Sequence, residues 1–355
     1  MTSNEAVEMI AATRSRAVAA GIDVYEYDAV TARIENLDDW SDLFRGAGTG
    51  HESAGAKACE EGRLVSARQS YLAAAAWYYF AGAWPSPRVS TYQESARAQW
   101  TAIQLFEPNA RRLTGDKFAG VLRVPGVHPD GGPLVVLVPG LDGAKEEFFT
   151  ITEELLARGC ATFVLDGPGQ GELVGTVPPT SEYPAVVGAA LDLLESIPDW
   201  KPESVGILGC SLGGFYTAAT LAREPRLRAG VIVSGLVRGP SWEGLPPHIQ
   251  GLLRVRTTDE EQGREFIASL DASEGVPSIS VPVFIVDGDA DPLVNGDYTG
   301  AWIAEHAQVA ERRVIAGGDH NVANARWKWL PDVADWLAAH LQASIPATTP
   351  QGEEN

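Results

Sequence analysis

Apolar positions along the chain divide it into an all-helical first part and a longer part in which strands and helices alternate. Up to about residue 110, apolar side chains recur every three or four positions, which is the period of a helix with one buried face. Gly21 and Gly62 stand where two of these helices are expected to end. The pattern predicts helices over residues 5–20, 37–44, 51–61, 64–82 and 90–105.

The period changes near Asn109, where we place a domain boundary. Residues 111–113 and 118–124 predict a hairpin closed by a glycine-containing turn. Beyond it, short apolar runs alternate with helical segments, which is typical of a mostly parallel sheet with helices on both faces. The predicted strands are 134–138, 161–165, 205–208, 229–234, 283–286 and 313–316, and the predicted helices are 146–158, 181–197, 215–223, 298–306 and 327–341.

These patterns divide the chain into three parts. A helical domain is predicted over residues 1–110 and an α/β domain over residues 111–342. Within the second, residues 235–280 contain two helix-like pieces and no strand, so we expect a small lid near the carboxyl ends of the strands, where ligands bind in such sheets. Residues 343–355 contain two prolines and two glutamates and predict a disordered tail.

Composition narrows the classes of function and partner. The 355-residue chain has a formal net charge of −20, which argues against nucleic acid and anionic membranes as partners. Its three cysteines are scattered, so neither a disulfide framework nor a structural zinc site is expected. The first residues lack a signal-peptide pattern, and the most apolar window, residues 71–84, is too short to span a bilayer. We expect a soluble cytoplasmic protein that binds a small molecule.

A Gly-x-Ser-x-Gly motif, Gly209 to Gly213, lies between the predicted strand 205–208 and the predicted helix 215–223. Strand, motif and helix in this order are the context of a nucleophile elbow, with Ser211 as the nucleophile. So sharp a turn crowds the residues on either side of the serine, and glycine has no Cβ to clash. The motif therefore predicts nucleophilic catalysis by Ser211.

A serine nucleophile needs a histidine base and an acid that orients the base. In this fold both follow the serine along the chain, the acid first. Of the six histidines, His320 lies in a loop after the last predicted strand, so we predict that it is the base. The loop after strand 283–286 offers Asp287, Asp289 and Asp291. We assign Asp291 as the acid and keep Asp289 as the alternative, with a turn-forming role more typical of its position.

Acyl transfer also needs hydrogen-bond donors for the developing oxyanion. The backbone N–H of Leu212, directly after the nucleophile, is one predicted donor. The second is assigned to the N–H of Leu141, in the loop after the first long strand, with the neighbouring positions of that loop as the alternatives. The glycine-rich run 166–172 fits neither a dinucleotide fingerprint nor a P-loop and is interpreted as a tight turn. With no H-E-x-x-H motif either, we predict no cofactor and no metal.

Aromatic side chains are dense between Tyr71 and Trp84. The favoured interpretation is that they form the core of the helical domain. The alternative is that some of them, Tyr79 included, line an aromatic substrate pocket. Both can hold, because tyrosine and tryptophan have an apolar body and a polar tip.

Three runs, residues 139–147, 166–172 and 209–214, resemble the α/β-hydrolase superfamily. More narrowly, they resemble the branch of 2,6-dihydroxypseudooxynicotine hydrolase-like and fermentation/respiration switch protein-like hydrolases. The helical first part is similar to that branch as well, so the resemblance covers about residues 20–341. It implies an α/β-hydrolase fold, a helical domain that closes over the active site, and a homodimer.

The resemblance also implies hydrolysis of a carbon–carbon bond between a carbonyl and an aromatic ring, with Ser211, Asp291 and His320 as the triad. Such chemistry needs a proton at the leaving carbon, so a further acid in the pocket is expected. Glu243 in the insertion is the candidate, and a solvated lid glutamate is the alternative. The possible pocket residues are Glu243, Trp242, Tyr79 and His51.

Three functions are compatible with these residues. The leading hypothesis is a serine hydrolase that cleaves an acyl carbon–carbon or ester bond of a medium-sized aromatic or polyketide-like molecule. The second is a lyase in natural-product biosynthesis that uses the same site to eliminate an acyloxy group such as acetate. The third is a non-catalytic binding protein, against which the complete set Ser211, Asp291 and His320 argues.

Overall fold

The structure, a computed structural model, describes residues 3–83, 88–294 and 299–342. Within these residues the helices are α1 (Ser3–Ala19), α2 (Val24–Thr31), α3 (Trp40–Glu60), α4 (Leu64–Ala83), α5 (Val89–Gln104), α6 (Phe149–Ala157), α7 (Tyr183–Glu195), α8 (Leu212–Leu221), α9 (Pro247–Arg256), α10 (Glu260–Ser269), α11 (Gly300–His306) and α12 (Leu330–His340). The strands are β1 (Arg111–Gly115), β2 (Phe118–Arg123), β3 (Gly131–Val138), β4 (Ala161–Asp166), β5 (Lys201–Cys210), β6 (Leu227–Val233), β7 (Val283–Gly288) and β8 (Ala310–Ile315). The predicted tail, residues 343–355, lies outside the described residues, as do Trp84 and Tyr298.

Helix α3 corrects one prediction. The sequence predicts two helices, over residues 37–44 and 51–61, but a single helix runs through both regions and through the glycines between them. A Cβ at Gly48 would lie 2.8 Å from the ring of Tyr78 in α4, and one at Gly55 would lie 3.2 Å from the ring of Tyr71. Glycine at these positions therefore lets aromatic rings pack against the α3 backbone and does not end the helix.

The aromatic residues of α4 form the core of the helical part. Trp77, Tyr78, Tyr79 and Phe80 are at most 2% exposed. The Trp77 ring packs edge-on against Phe44 of α3, with centroids 5.0 Å apart, and such pairs add to the stability that burial provides. The core interpretation of these four aromatics is therefore confirmed.

The strands form one sheet in the order β1-β2-β4-β3-β5-β6-β7-β8. Strand β2 is antiparallel to β1 and β4, and every other neighbouring pair is parallel. The predicted hairpin and the predicted mostly parallel sheet are both confirmed. Strand β5, which leads into Ser211, lies between β3 and β6. Its carboxyl end is therefore flanked by the loops that follow those two strands.

Helices cover both faces of this sheet. Alternate side chains of each strand point to opposite faces, so Val136 and Ile207 join a core with α7 and α8. Their neighbours Leu137 and Leu208 join the opposite core with α6 and α12. Continuous apolar strands are what a sheet buried on both faces requires.

The insertion between β6 and β7 is helical, as predicted, and holds α9 and α10. Trp242, which is 6% exposed, packs beneath the guanidinium groups of Arg254 and Arg264. Arg256 of α9 donates a 3.2 Å hydrogen bond to the hydroxyl of Tyr92 in α5. The insertion therefore contacts the N-terminal helices. Among the described residues, no helix is both long enough and apolar enough to cross a bilayer.

Candidate active site

Ser211 occupies the turn between β5 and α8, with φ 59° and ψ −120°. Non-glycine residues rarely adopt this conformation, and it is the strained geometry of a nucleophile elbow. A Cβ at Gly209 would lie 2.0 Å from the carbonyl oxygen of Gly213, and one at Gly213 would lie 2.1 Å from the carbonyl oxygen of Val138. The two glycines thus permit the close backbone approach that presents the Ser211 hydroxyl.

His320 lies between Ser211 and Asp291. Its Nε2 is 2.9 Å from Ser211 Oγ, and its Nδ1 is 2.9 Å from Asp291 Oδ2. Three residues that follow three different strands are therefore brought together. In this arrangement Nδ1–H can donate to Asp291 while Nε2 accepts the hydroxyl proton of Ser211.

The loop that carries His320 is fixed to the neighbouring strand end. Asn321 and Val322 have positive φ values of 63° and 47°, so the chain turns sharply directly after the histidine. The N–H of Asn321 donates to Ser234 Oγ at 3.0 Å, and Ser234 follows β6, which pairs with β5. This bond holds the His320 loop against the strand end beside Ser211.

Asp291 is buried and multiply hydrogen-bonded. Besides His320, its carboxylate accepts the backbone N–H groups of Leu293 at 2.8 Å and Val294 at 3.0 Å. Burial alone would raise the pKa of Asp291, but these bonds and the His320 ring hold the pKa below its usual value. The alternative acid, Asp289, accepts the N–H of Gly317 at 2.6 Å. Asp289 therefore has the turn-forming role that its position suggested.

The two predicted oxyanion donors lie next to the nucleophile in sequence or in space. Leu212 is the first residue of α8, where the N–H has no partner within the helix. The loop of Leu141 passes close to the serine, since a Cβ at Gly140 would lie 3.3 Å from Ser211 Cβ. In the described part of the chain, neither Leu141 nor Leu212 donates its N–H to a backbone or side-chain acceptor. Both N–H groups therefore remain available to a ligand.

Gln170 fixes the backbone of that loop. Its Nε2 donates to the carbonyl oxygens of Pro139 at 2.6 Å and Gly140 at 3.0 Å. Its Oε1 accepts the N–H of Gly167 and the hydroxyl of Tyr183. The glycine-rich run 166–172 is thus the tight turn that the sequence predicts, and it also supports the loop that carries the predicted oxyanion donor.

Ser211 opens onto a cavity of about 20 Å³, which is room for about one water molecule. Its wall combines α1, the loop after β3 and the His320 loop. The lining residues are Arg16, Gly140, Asp142, Glu147, Phe148, Cys210, Ser211, Asn321, Ala323 and Arg326. The site is therefore closed, and half of the charged groups around it are arginines.

Arg16 of α1 crosses the cavity to the loop after β3. Its Nη1 donates to Asp142 Oδ2 at 2.6 Å, and its Nη2 donates to Glu147 Oε2 at 2.8 Å. Burial would lower the pKa of Arg16, but the carboxylates of Asp142 and Glu147 raise it well above the usual value. Tyr79 shares this network by donating to Glu147 at 2.9 Å. Helix α1 thereby forms one wall of the site.

None of the four predicted pocket residues lines this cavity. Tyr79 lies one layer further out, against Arg16 and Glu147. His51 bonds Glu26 at 2.8 Å within the helical part, because α2 and α3 pack there. Trp242 is buried within the insertion between its arginines. The Glu243 side chain is 72% exposed and pairs with Arg264, as expected of a solvated lid glutamate.

Cys210 lines the cavity beside the nucleophile. Burial raises the pKa of its thiol to about 12, so it stays protonated and packs as a small apolar group. Across the described residues, no group of three or more histidine, cysteine, aspartate or glutamate side chains is arranged to hold a metal ion.

No sequence motif assigns a role to Arg16, Asp142, Glu147 or Arg326. Asp142 and Glu147 lie in a run that resembles the hydrolase family, yet the motif itself does not say that they bind an arginine. Arg16 lies 126 positions before Asp142, and no local pattern indicates so distant a contact. The one available signal was the placement of two carboxylates beside the predicted oxyanion loop.

Comparison with known proteins places these features in context. A family model described as alpha/beta hydrolase family matches residues 135–269. The 2,6-dihydropseudooxynicotine hydrolase of Paenarthrobacter nicotinovorans is 30% identical over 260 residues, which are 70% of this chain and 68% of that protein. The 20-hydroxy-prefusarin hydrolase of Gibberella moniliformis is 33% identical over 144 residues, 36% of this chain and 34% of that one. The crystal structure of 2,6-dihydroxy-pseudo-oxynicotine hydrolase superposes with a TM-score of 0.80 at 25% identity, covering 95% of this chain and 99% of the other.

Proposed function

The chain belongs to the α/β-hydrolase family, and from this premise we propose that it is a serine hydrolase with Ser211 as nucleophile, His320 as base and Asp291 as orienting acid. One observation carries the proposal. The hydrogen-bonded series Ser211–His320–Asp291, with 2.9 Å at each step, faces a cavity beside two available backbone donors. The proposed substrate is a medium-sized aromatic or polyketide-like molecule with a reactive carbonyl.

The first half-reaction forms an acyl-enzyme. Ser211 Oγ attacks the carbonyl carbon while His320 Nε2 takes the hydroxyl proton. The carbonyl oxygen becomes an oxyanion that accepts the N–H groups of Leu212 and Leu141. Collapse of this intermediate breaks the bond to the leaving group, which receives the proton from His320. Asp291 stabilises the imidazolium throughout without taking its proton.

The second half-reaction returns the enzyme to its starting state. Water attacks the acyl carbon as His320 accepts one of its protons, and the serine leaves as an alcohol after it receives that proton. The product is a carboxylic acid. For an ester the first leaving group is an alcohol, and for a carbon–carbon bond it is a carbon atom that needs an adjacent group to stabilise its electron pair.

Relatives support the substrate class. The similar proteins from Paenarthrobacter and Gibberella are named as hydrolases of 2,6-dihydropseudooxynicotine and of 20-hydroxy-prefusarin. The closed cavity also supports a substrate that enters by displacing a wall, since about 20 Å³ cannot hold it. Exclusion of bulk water after closure strengthens the hydrogen bonds to an oxyanion.

Labelling with a fluorophosphonate probe tests the nucleophile. We expect the probe to label the natural protein and to lose labelling in Ser211→Ala, while Ser241→Ala is labelled normally. Ser241 is a suitable control because its hydroxyl accepts the N–H of Gly244 at the start of a helical turn in the insertion. Equal labelling of Ser211→Ala and the natural protein would remove Ser211 from the nucleophile role.

Products formed in ¹⁸O-labelled water separate hydrolysis from elimination. Hydrolysis places one labelled oxygen in the carboxylic acid product, because water attacks the acyl-enzyme. Elimination of an acyloxy group leaves a new double bond and no label in either product. The second outcome would replace the hydrolase with the lyase that shares this site.

A further inference from the structure

Two buried arginines near the Ser211 cavity have no carboxylate partner. Arg256 is 2% exposed, and its guanidinium makes one hydrogen bond to the described residues, from Nη2 to the Tyr92 hydroxyl at 3.2 Å. Arg326 lines the cavity and donates from Nη1 to neutral acceptors alone. Within residues 3–83, 88–294 and 299–342, neither guanidinium lies within 4.0 Å of an acidic oxygen. Both charges are therefore uncompensated by direct ion pairs.

The hydrogen bonds of Arg326 involve Nη1 and leave Nε and Nη2 without an acceptor among the described residues. Nη1 donates to Ala19 O and to Thr150 Oγ1, both at 2.7 Å. Nε is buried and has no hydrogen-bond partner, and Nη2 donates to no acceptor in the described chain. An unpaired buried donor is costly, and more so when it is charged. The edge formed by Nε and Nη2 therefore lacks an acceptor among the described residues, in a side chain that lines the Ser211 cavity.

The two arginines that line the cavity differ in their ion pairs. Arg16 is matched by Asp142 and Glu147, with which it forms ion pairs. Arg256 acts on Asp142 as well, because its charge helps to lower the pKa of that carboxyl. Burial lowers the pKa of Arg326, and Glu147 opposes that effect. Arg16 is therefore compensated by ion pairs at the cavity, whereas Arg326 forms no direct ion pair with a described carboxylate.

From this buried guanidinium without an ion pair we propose that Arg326 binds an anionic oxygen of the substrate, a carboxylate or an enolate, next to the carbonyl that Ser211 attacks. A guanidinium offers a planar pair of N–H donors that matches such a group and holds it in one orientation. This inference rests on the proposed hydrolase, since the anion belongs to the molecule that is cleaved. It narrows the substrate class to acyl compounds that carry an acidic group.

Calorimetric titration of benzoate and of its neutral analogue benzamide tests the site. We expect the natural protein to bind benzoate about tenfold or more tightly than benzamide, which is the range of a charged hydrogen bond. Arg326→Gln is expected to lose this preference. Thr150→Val is the matched control, because it removes an acceptor of Arg326 and leaves the charge in place.

The possible outcomes test the anion site at Arg326 separately from the proposed hydrolase. Equal affinity for the two probes, no benzoate binding, or a preserved preference in Arg326→Gln would overturn the anion site. Loss of the preference in Thr150→Val would assign the effect to the packing of α1 and would overturn it too. Fluorophosphonate labelling of the same samples reports on the hydrolase separately, so a benzoate preference without labelling retains the anion site and rejects the serine nucleophile.

Discussion

Arg16 donates a 2.6 Å hydrogen bond to Asp142, the residue that follows the predicted oxyanion donor Leu141. The same guanidinium binds Glu147, and its neighbour Ser15 donates to Asp319, which precedes His320. One turn of α1 thus contacts both loops that bring Leu141 and His320 to Ser211. The first helix of the chain is therefore part of the active-site wall.

Arg16→Gln is expected to destabilise the protein, because it leaves Asp142 and Glu147 buried without their cation. Breaking a buried ion pair typically costs about 3–5 kcal/mol, and the loss is measurable as a decrease in the free energy of unfolding in urea. Arg14→Gln is the control, since Arg14 forms an exposed pair with Asp28 and exposed pairs contribute little. Similar unfolding curves for the two variants would mean that α1 is not held by Arg16.

Asp291→Asn should lower kcat/KM by about 10⁴-fold, because the amide no longer stabilises the imidazolium of His320. Asp289→Asn is the matched control, since an asparagine oxygen can still accept the N–H of Gly317. We expect that variant to keep activity within about threefold of the natural protein. Steady-state kinetics with an activated ester compares them, and a larger loss in Asp289→Asn would reassign the acid.

Gln170→Glu tests the support of the oxyanion loop. The substitution keeps the shape of the side chain but removes the two bonds from Nε2 to Pro139 O and Gly140 O. We expect kcat to fall by about ten- to hundredfold with little change in KM, because an oxyanion donor acts mainly in the transition state. Gln308→Glu, which removes an exposed bond to Pro277 O, should change neither constant. A rise in KM at constant kcat would point to substrate binding instead.

Glu146 makes stability depend on pH. Burial raises the pKa of Glu146 to about 7, although Lys145 opposes the shift and Asp166 adds to it. A carboxyl with a raised pKa in the folded state is fully stabilising below its unfolded pKa, and this contribution is lost as the pH rises through 7. Relative to the natural protein, Glu146→Gln should gain about 1–3 kcal/mol of unfolding free energy between pH 5 and pH 8.

Urea unfolding at several pH values measures this difference. The comparison with Glu146→Gln isolates one group from Lys145, Asp166 and Glu172, which lie in the same cluster of ion pairs. Glu154→Gln, at the partly exposed pair with Arg158, should show no such gain. A constant difference between Glu146→Gln and the natural protein across this range would contradict the raised pKa.

Two glycines of α3 should respond in opposite directions to alanine. Gly50→Ala places a methyl group where nothing lies within 4 Å, so it should stabilise the helix by about 0.5–1 kcal/mol. Gly48→Ala places its methyl group 2.8 Å from the Tyr78 ring and should destabilise by about 1–3 kcal/mol. Thermal unfolding of the two variants checks the signs. An increase for both would show that α3 and α4 are not in close contact.

The features that can be predicted from the sequence are those that depend on residues close together in the chain. Ser211 is defined by five consecutive residues, and Asp291 and His320 follow from the order of strands, so the structure places all three together. The sequence predicts two helices, over residues 37–44 and 51–61, where α3 is continuous. The Tyr78 ring that packs on Gly48 is thirty positions away, so no local pattern indicates that contact. Glu243 had the right chemistry, but its direction depends on the Arg264 contact, and nothing local specifies that pair.

The contacts of α1 also imply an order of folding steps during synthesis. Ala19 accepts from Arg326 across 307 positions and Ser15 donates to Asp319 across 304, whereas β5 and β6 are complete by residue 233. During synthesis, α1 is made long before the loop that contains Asp319 and Arg326, so it cannot form these contacts until that loop has been made. Strands β5 and β6 can pair earlier, before α1 covers Ser211. In nascent chains of increasing length, secondary structure should therefore be detected at shorter lengths than closure of the Ser211 cavity.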